Sequence, residues 1–293
     1  MRRLFTLGKG SKLPLYDTPE ERAGLRAAGA FNARLLDYLR TMVRPGISTA
    51  KLDSLAEEFT RDHGHIPACY GYHGYPNTIC TSVNEVVCHG IPDRYVLKDG
   101  DIINVDCTTI VDGWYGDSSE TFLIGEVSPE ARRLVQAAFD ALWIGIETIK
   151  PYSSVIEIGF AIAKFGRENK FGVVETFQGH GIGRQFHQDP GIPHVPFRKS
   201  RRDVLAPGVC FTIEPMLNLG AKETVGPLSD GWTVITADRS LSAQFEHQLL
   251  MTETGPEILT LTRGGPQKGH RFDARPGSTT PASPSSQPAQ ATA

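Results

Sequence analysis

Apolar residues recur at helical spacing over Leu25, Ala28, Phe31, Leu35, Leu39 and Met42, one stripe of an amphipathic helix. The stripe opens on Thr18-Pro19-Glu20-Glu21: a Thr cap, Pro at the first helical position and Glu three residues after the cap. Arg44-Pro45-Gly46 closes it, and a second amphipathic helix follows through Leu52, Leu55, Ala56 and Phe59 to Gly64. From Asp101 to Ser119 the period changes to two, with a turn at Asp112-Gly113, which predicts a β-hairpin. The order then restarts. Ser128-Pro129-Glu130 caps a helix carrying Leu134, Ala138, Leu142 and Ile146, Lys150-Pro151 stops it, and a shorter helix runs from about 154 to 168. A strand from Val209 to Met216 leads into a second hairpin turning near Asp230-Gly231-Trp232 and returning through 242–252.

The two halves share more than their order. Val96–Asp106 aligns with Val204–Glu214 without a gap, His-Gly-Ile occurs at His89 and His180, and Asp-Gly-Trp occurs at Asp112 and Asp230. Too long for a solenoid period, the repeat predicts an α+β fold of two ααββ halves, about 18–126 and 127–255. They would face each other around a pseudo-twofold axis and share a central antiparallel sheet. Residues 1–17 show no periodicity and read as an N-terminal arm, 18–263 as a single domain, and the Pro/Ser-rich 264–293 as a disordered tail.

A two-residue turn at 112–113 sets Asp106 opposite Ser119, with Asp117 one diagonal step away on the same face. The symmetry would bring Glu214 and Glu246 across from these acids, with His180 nearby. Four carboxylates and an imidazole without counter-charge are unfavourable in a low-dielectric cleft, whereas two divalent cations suit such a set.

Composition narrows the partners. Hydrophobic residues at 40% and charged residues at 22% are ordinary for a globular chain. A net charge of -3 without a long basic run argues against direct nucleic-acid binding. With no apolar run of membrane length and no signal-peptide core, no membrane association and a cytoplasmic location are expected. Cys69, Cys80, Cys88, Cys107 and Cys210 contain no C-x-x-C pair, so neither a disulfide framework nor a zinc finger is expected. Cys69 and Cys80 bracket the aromatic segment Tyr70–Tyr75, whose Gly, Tyr and His texture suits a pocket wall.

Over residues 15 to 255 these motifs resemble the type I methionine aminopeptidases of the bacterial sort, which have the pita-bread fold. The resemblance implies metal ligands at Asp106, Asp117, His180, Glu214 and Glu246, and active-site histidines at His89 and His187. It implies a methionine pocket of Cys69, Tyr72, Tyr75, Cys80, Phe186 and Trp232 with His73 at its edge, and a monovalent-cation site at Asn84, Val86 and Ser242. Two divalent ions (Co, Mn, Fe or Zn), bridged by Asp117 and Glu246, would supply a nucleophilic water near neutral pH. Glu214 is then the candidate base, His187 or a metal the group that polarises the carbonyl, and His89 the group at the leaving amine. The expected activity is removal of the initiator methionine ahead of a small second residue, by a monomer. The expected partners are N-terminal Met peptides and nascent chains, and with them the ribosome, although no basic patch stands out. Two rivals share the fold: a proline-specific peptidase and a non-catalytic binding protein. The first usually carries a large extra N-terminal domain; the second tends to lose metal ligands, and none is lost here.

Overall fold

Helix α1 (Pro19–Arg40) begins where its sequence predicts: Thr18 Oγ1 accepts the Glu21 N–H and Glu21 Oε2 accepts the Thr18 N–H, a capping box that satisfies two otherwise orphaned donors. Ser48 caps α2 (Thr49–Asp62) by accepting the Lys51 N–H and Ser128 caps α3 (Pro129–Thr148) by accepting the Ala131 N–H, each without the reciprocal bond, and α4 spans Ile156–Asn169. The computed structural model describes residues 4–6 and 12–273. Among them, no helix is long and apolar enough to cross a membrane.

Each helix pair packs its apolar stripe on a hairpin. Leu35, Leu39, Leu52 and Ala56 bury against Ile103, Val105 and Cys107 of the first hairpin, and Leu134, Ala138, Leu142 and Ile162 bury against Phe211, Ile213 and Leu249 of the second. The first hairpin joins Ile102–Val111 to Trp114–Leu123 in unbroken antiparallel register, Asp106 opposite Ser119 and Thr108 opposite Asp117. Asp112 (φ 50°) and Gly113 (φ 77°) both take the left-handed conformation that a two-residue turn of this hand requires. The second hairpin is longer and interrupted. Cys210 pairs with Leu250, Met216 with Gln244 and Thr224 with Thr236, all centred on Asp230.

The duplication is visible in the backbone bonds. Leu97 N donates to Ile47 O and Leu205 N to Ser153 O; Gly46 N donates to Leu97 O and Tyr152 N to Leu205 O. Ser48 bridges Val96 as Ser154 bridges Val204. Gly100 (φ 95°) and Gly208 (φ 94°) turn the chain alike into the acid-bearing strands. The halves meet along their return strands: Glu246 N donates to Ser119 O, Gln244 N to Thr121 Oγ1, and Asp117 N to Gln248 Oε1.

Two sequence matches are not part of this symmetry. Gly181 opposes Phe211, whose counterpart Ile103 opposes Val83, so His180 corresponds to Ser82 and not to His89. On the return strands the register makes Ser119 the counterpart of Glu246 and Gln244 the counterpart of Asp117. The acids therefore enter from non-equivalent positions of a duplicated frame.

The packed chain also runs beyond 18–263. Leu13 and Leu15 join the second-half core, and Tyr16 is fully buried with its ring edge-on to Trp114 at 5.4 Å. Phe272 packs on Phe139 and Phe245, and its N–H donates to Gln136 Oε1. The stretch 264–273, assigned to the tail by composition, is thus a strap over α3, held by Phe272 and by bonds from Arg132 and Gln136 to its backbone; the rest of the expected tail, 274–293, lies outside the described residues.

Asn32 locks α1 to the first hairpin: wholly buried, it donates to Cys107 O at 2.7 Å and Ser118 Oγ at 2.8 Å and accepts from Thr109 Oγ1 at 3.1 Å. Asn32→Ala orphans all three groups, so unfolding free energy is expected to fall by about 3 kcal/mol. A lower urea midpoint at unchanged slope checks this; an unchanged midpoint contradicts it.

Candidate metal centre

The hairpins bring five side chains from five segments to one cavity of about 290 Å³: Asp106, Asp117, His180, Glu214 and Glu246. Asp106 and Asp117 stand on the first hairpin, His180 on the strand Gly179–Gly181, and Glu214 and Glu246 at the break in the second hairpin. Ligand atoms of Asp117, His180 and Glu246 lie within 4.8 Å of one another. His180 Nε2 is 3.5 Å from Asp117 Oδ2 and 3.6 Å from Glu214 Oε1.

Neighbouring groups fix the orientations. His180 Nδ1 sits 3.1 Å from Gly181 O, which can only accept, so the proton lies on Nδ1 and Nε2 turns its lone pair toward the acids. Thr108 Oγ1 donates to Asp117 Oδ1 at 2.8 Å. Glu214 is held at both oxygens, by Thr212 Oγ1 at 2.8 Å and Gln244 Nε2 at 3.2 Å, while its N–H donates to His194 Nε2 at 3.2 Å.

The electrostatics are those of a cation site. Burial, then mutual repulsion, holds Asp117, Glu214 and Glu246 well above the usual carboxylate range, and burial alone raises Asp106 to about 7. Burial, then His187, lowers His180 to about 3. No Lys or Arg lines the cavity among the described residues. Four acids facing one imidazole lone pair with no positive neighbour fit hard divalent cations and little else.

The expected histidines His89 and His187 and the expected methionine-pocket residues line the same cavity, whereas His73, Asn84, Val86 and Ser242 do not. Cys69, Tyr75, Cys80 and Phe186 form a buried apolar cluster with Tyr72 and Trp232 against it. Tyr75 meets Trp232 edge-on at 5.1 Å, and Tyr72 packs on Phe186 at 4.7 Å. His89 has φ 56°, beside Gly90, where a Cβ would stand 2.2 Å from Thr81 O. That close approach carries the His89 ring to the cavity wall, edge-on to Phe177. His187 sits at the mouth, its Nδ1 2.8 Å from the Tyr72 hydroxyl. His73 is exposed, its ring edge-on to Tyr72 at 4.4 Å. At the expected monovalent site, Ser242 N donates to Asn84 O, and the Asn84 side chain is committed to Asp101 and the Ile102 N–H.

Sequence reasoning passed over several lining residues: Thr108, Phe177, Met216 and Gln244. Thr108 and Gln244 had a signal in the hairpin registers, one opposite Asp117 and the other its symmetry counterpart. Phe177 had none. His194 is wholly buried, its Nε2 accepting the Glu214 N–H.

A duplicated α+β frame enclosing a carboxylate–histidine cluster is the architecture of a metallopeptidase, and residues 23–253 match the model of metallopeptidase family M24. The chain belongs to that family and has its pita-bread fold. It is 52% identical over 238 residues to methionine aminopeptidase A of Synechocystis, spanning 81% of this chain and 93% of that protein. It is 46% identical over 248 residues to methionine aminopeptidase of Escherichia coli, spanning 84% and 93%. The crystal structure of methionine aminopeptidase from Rickettsia prowazekii matches with a TM-score of 0.82 at 43% identity, covering 85% of this chain and all of that one.

Proposed function

We infer that this chain is a metal-dependent aminopeptidase that removes N-terminal methionine from polypeptides with a small second residue. One observation carries the reading: the five candidate ligands and the sulfur-and-aromatic pocket open into a single cavity. The likeness to methionine aminopeptidases over most of the chain supports it. Asp106, Asp117, His180, Glu214 and Glu246 would hold two divalent cations.

When bound, such a pair supplies Lewis acidity toward the carbonyl and a water acidified enough to attack near neutral pH. Glu214 accepts that water's proton, and its hydrogen bonds to Thr212 and Gln244 hold it in one position. His187, its Nδ1 2.8 Å from the Tyr72 hydroxyl, would offer the methionine carbonyl a proton from Nε2 in the tautomer in which Tyr72 donates. His89 hydrogen-bonds at the scissile nitrogen and assists the leaving amine. Cys69, Cys80, Tyr72, Tyr75, Phe186 and Trp232 enclose the thioether, and sulfur against aromatic edges favours methionine by about 0.3–1.5 kcal/mol. Phe177, Met216 and Gln244 are the residues we assign to limiting the second side chain.

The test is release of methionine from Met-Gly-Met with added divalent metal, against an X-Pro dipeptide. Release from the first and not the second is expected; the reverse would make the chain a proline-specific peptidase. Trp232→Ala is expected to lower kcat/KM for Met-Gly-Met by about 2–12-fold through KM, the range of one sulfur–aromatic contact. An unchanged KM would remove Trp232 from the pocket.

A further inference from the structure

The net charge of -3 averages over an uneven surface. The single turn Arg198–Arg202 exposes Arg198, Lys199, Arg201 and Arg202, and none of these forms an ion pair among the described residues. Their support is fixed. Ser200 between them is buried, Ser154 Oγ donates to Arg201 O at 3.0 Å, and Val155 N donates to Asp203 O at 3.0 Å. The cations are thus clamped to the start of α4.

Large rings lie beside them. Phe160 is 58% exposed, Phe197 49% and Tyr152 59%. Phe160 lines one groove with Arg198, Arg201 and Arg202. Helical spacing sets Lys164 and Arg167 on the same exposed face as Phe160, so the basic and aromatic character continues along α4. The carboxylate in the groove, Glu157, is turned to the backbone, its Oε1 accepting the Ser154 N–H at 3.1 Å. Lys164 faces Glu168 at 3.9 Å, a loose exposed pair.

Unpaired guanidiniums beside exposed rings are the chemistry that binds phosphates and stacks unpaired bases. An acidic peptide would use the cations and leave the rings without a role. A membrane would need an apolar helix face, and α4 buries its own in the core. We propose that the Arg198–Arg202 turn and the exposed face of α4 form a docking surface for RNA with unpaired bases, its guanidiniums on phosphates and Phe160 and Phe197 against bases. None of these residues lines the metal cavity, so the surface stands or falls apart from the peptidase reading.

Fluorescence anisotropy with a labelled single-stranded RNA of about 12 nucleotides tests it on the full chain. The variant Arg198→Glu/Arg201→Glu/Arg202→Glu should bind at least about tenfold more weakly, with the slope of log affinity against log salt reduced by about 2. Phe160→Ala/Phe197→Ala should lose about fivefold with the slope unchanged. Methionine release from Met-Gly-Met, unchanged in both variants, shows that each is folded. Three results overturn the proposal: no RNA binding by the unaltered chain, equal binding by the triple-Glu variant, or binding to poly-glutamate or anionic vesicles as tight as to RNA.

Discussion

Glu214→Gln is expected to lower kcat for methionine release by about 10²–10⁴-fold, the range for losing a positioned general base, with KM little changed. The substitution keeps the size of the side chain and one acceptor oxygen for either the Thr212 or the Gln244 donor, so the local packing should survive with one of the two bonds lost. What it removes is a basic oxygen, in a position set by two side-chain bonds and a backbone bond to His194. Metal content must be measured on the same samples, because Glu214 is also a candidate ligand. Near-normal turnover with metal bound would move the base elsewhere in the cavity.

Asp106→Asn is expected to make the metal-free protein more stable at pH 8 while removing metal-dependent activity. Burial holds the Asp106 carboxyl at about 7, so the folded chain keeps its proton well above the pH at which the unfolded chain has released it. Between about pH 4 and 7 the native state binds more protons than the unfolded one, and stability falls as pH rises; above the folded value the full penalty remains. Asn carries no such penalty, and a gain of about 2–4 kcal/mol at pH 8 follows, shrinking toward zero near pH 4. Divalent metal should reverse the order, adding about 4.1 kcal/mol to the unaltered chain at a thousandfold excess over Kd. Thermal melts with chelator at two pH values, then with metal, read all of this. Identical metal-free melts at pH 8 would mean that the Asp106 carboxylate is not penalised by its surroundings.

The parts of this fold that were legible in the sequence are those set by local chemistry. Thr18 and Ser128 mark helix starts because a cap needs that side chain there, and Asp112-Gly113 fixes the register of Asp106 and Asp117 because the turn admits two residues. From that register and the Val96–Asp106 repeat, Asp106, Asp117 and Glu214 are legible as one set, and the structure lines a single cavity with these three, His180 and Glu246. What was misread depends on non-local packing. The two His-Gly-Ile copies share letters and not positions, since strand register, which they do not encode, pairs Gly181 with Phe211. Leu13–Tyr16 and Phe272 are too short or too isolated to show a period, yet each fills a place that the rest of the core leaves for it. His194 has no motif around it, and its meaning comes only from Glu214 arriving beside it. The basic turn at 198–202 was hidden by a net charge that sums over the whole surface.

The most direct measurement strips the protein of metal, titrates Mn(II) or Co(II) back by calorimetry, and follows methionine release from Met-Gly-Met in the same samples. Release should be absent without metal and rise in step with occupancy, and Glu246→Gln, which removes a candidate ligand carboxylate, should show weakened binding and little release. Release that persists after complete chelation, or that stays absent with every divalent ion bound, would contradict a metallopeptidase built on these five residues.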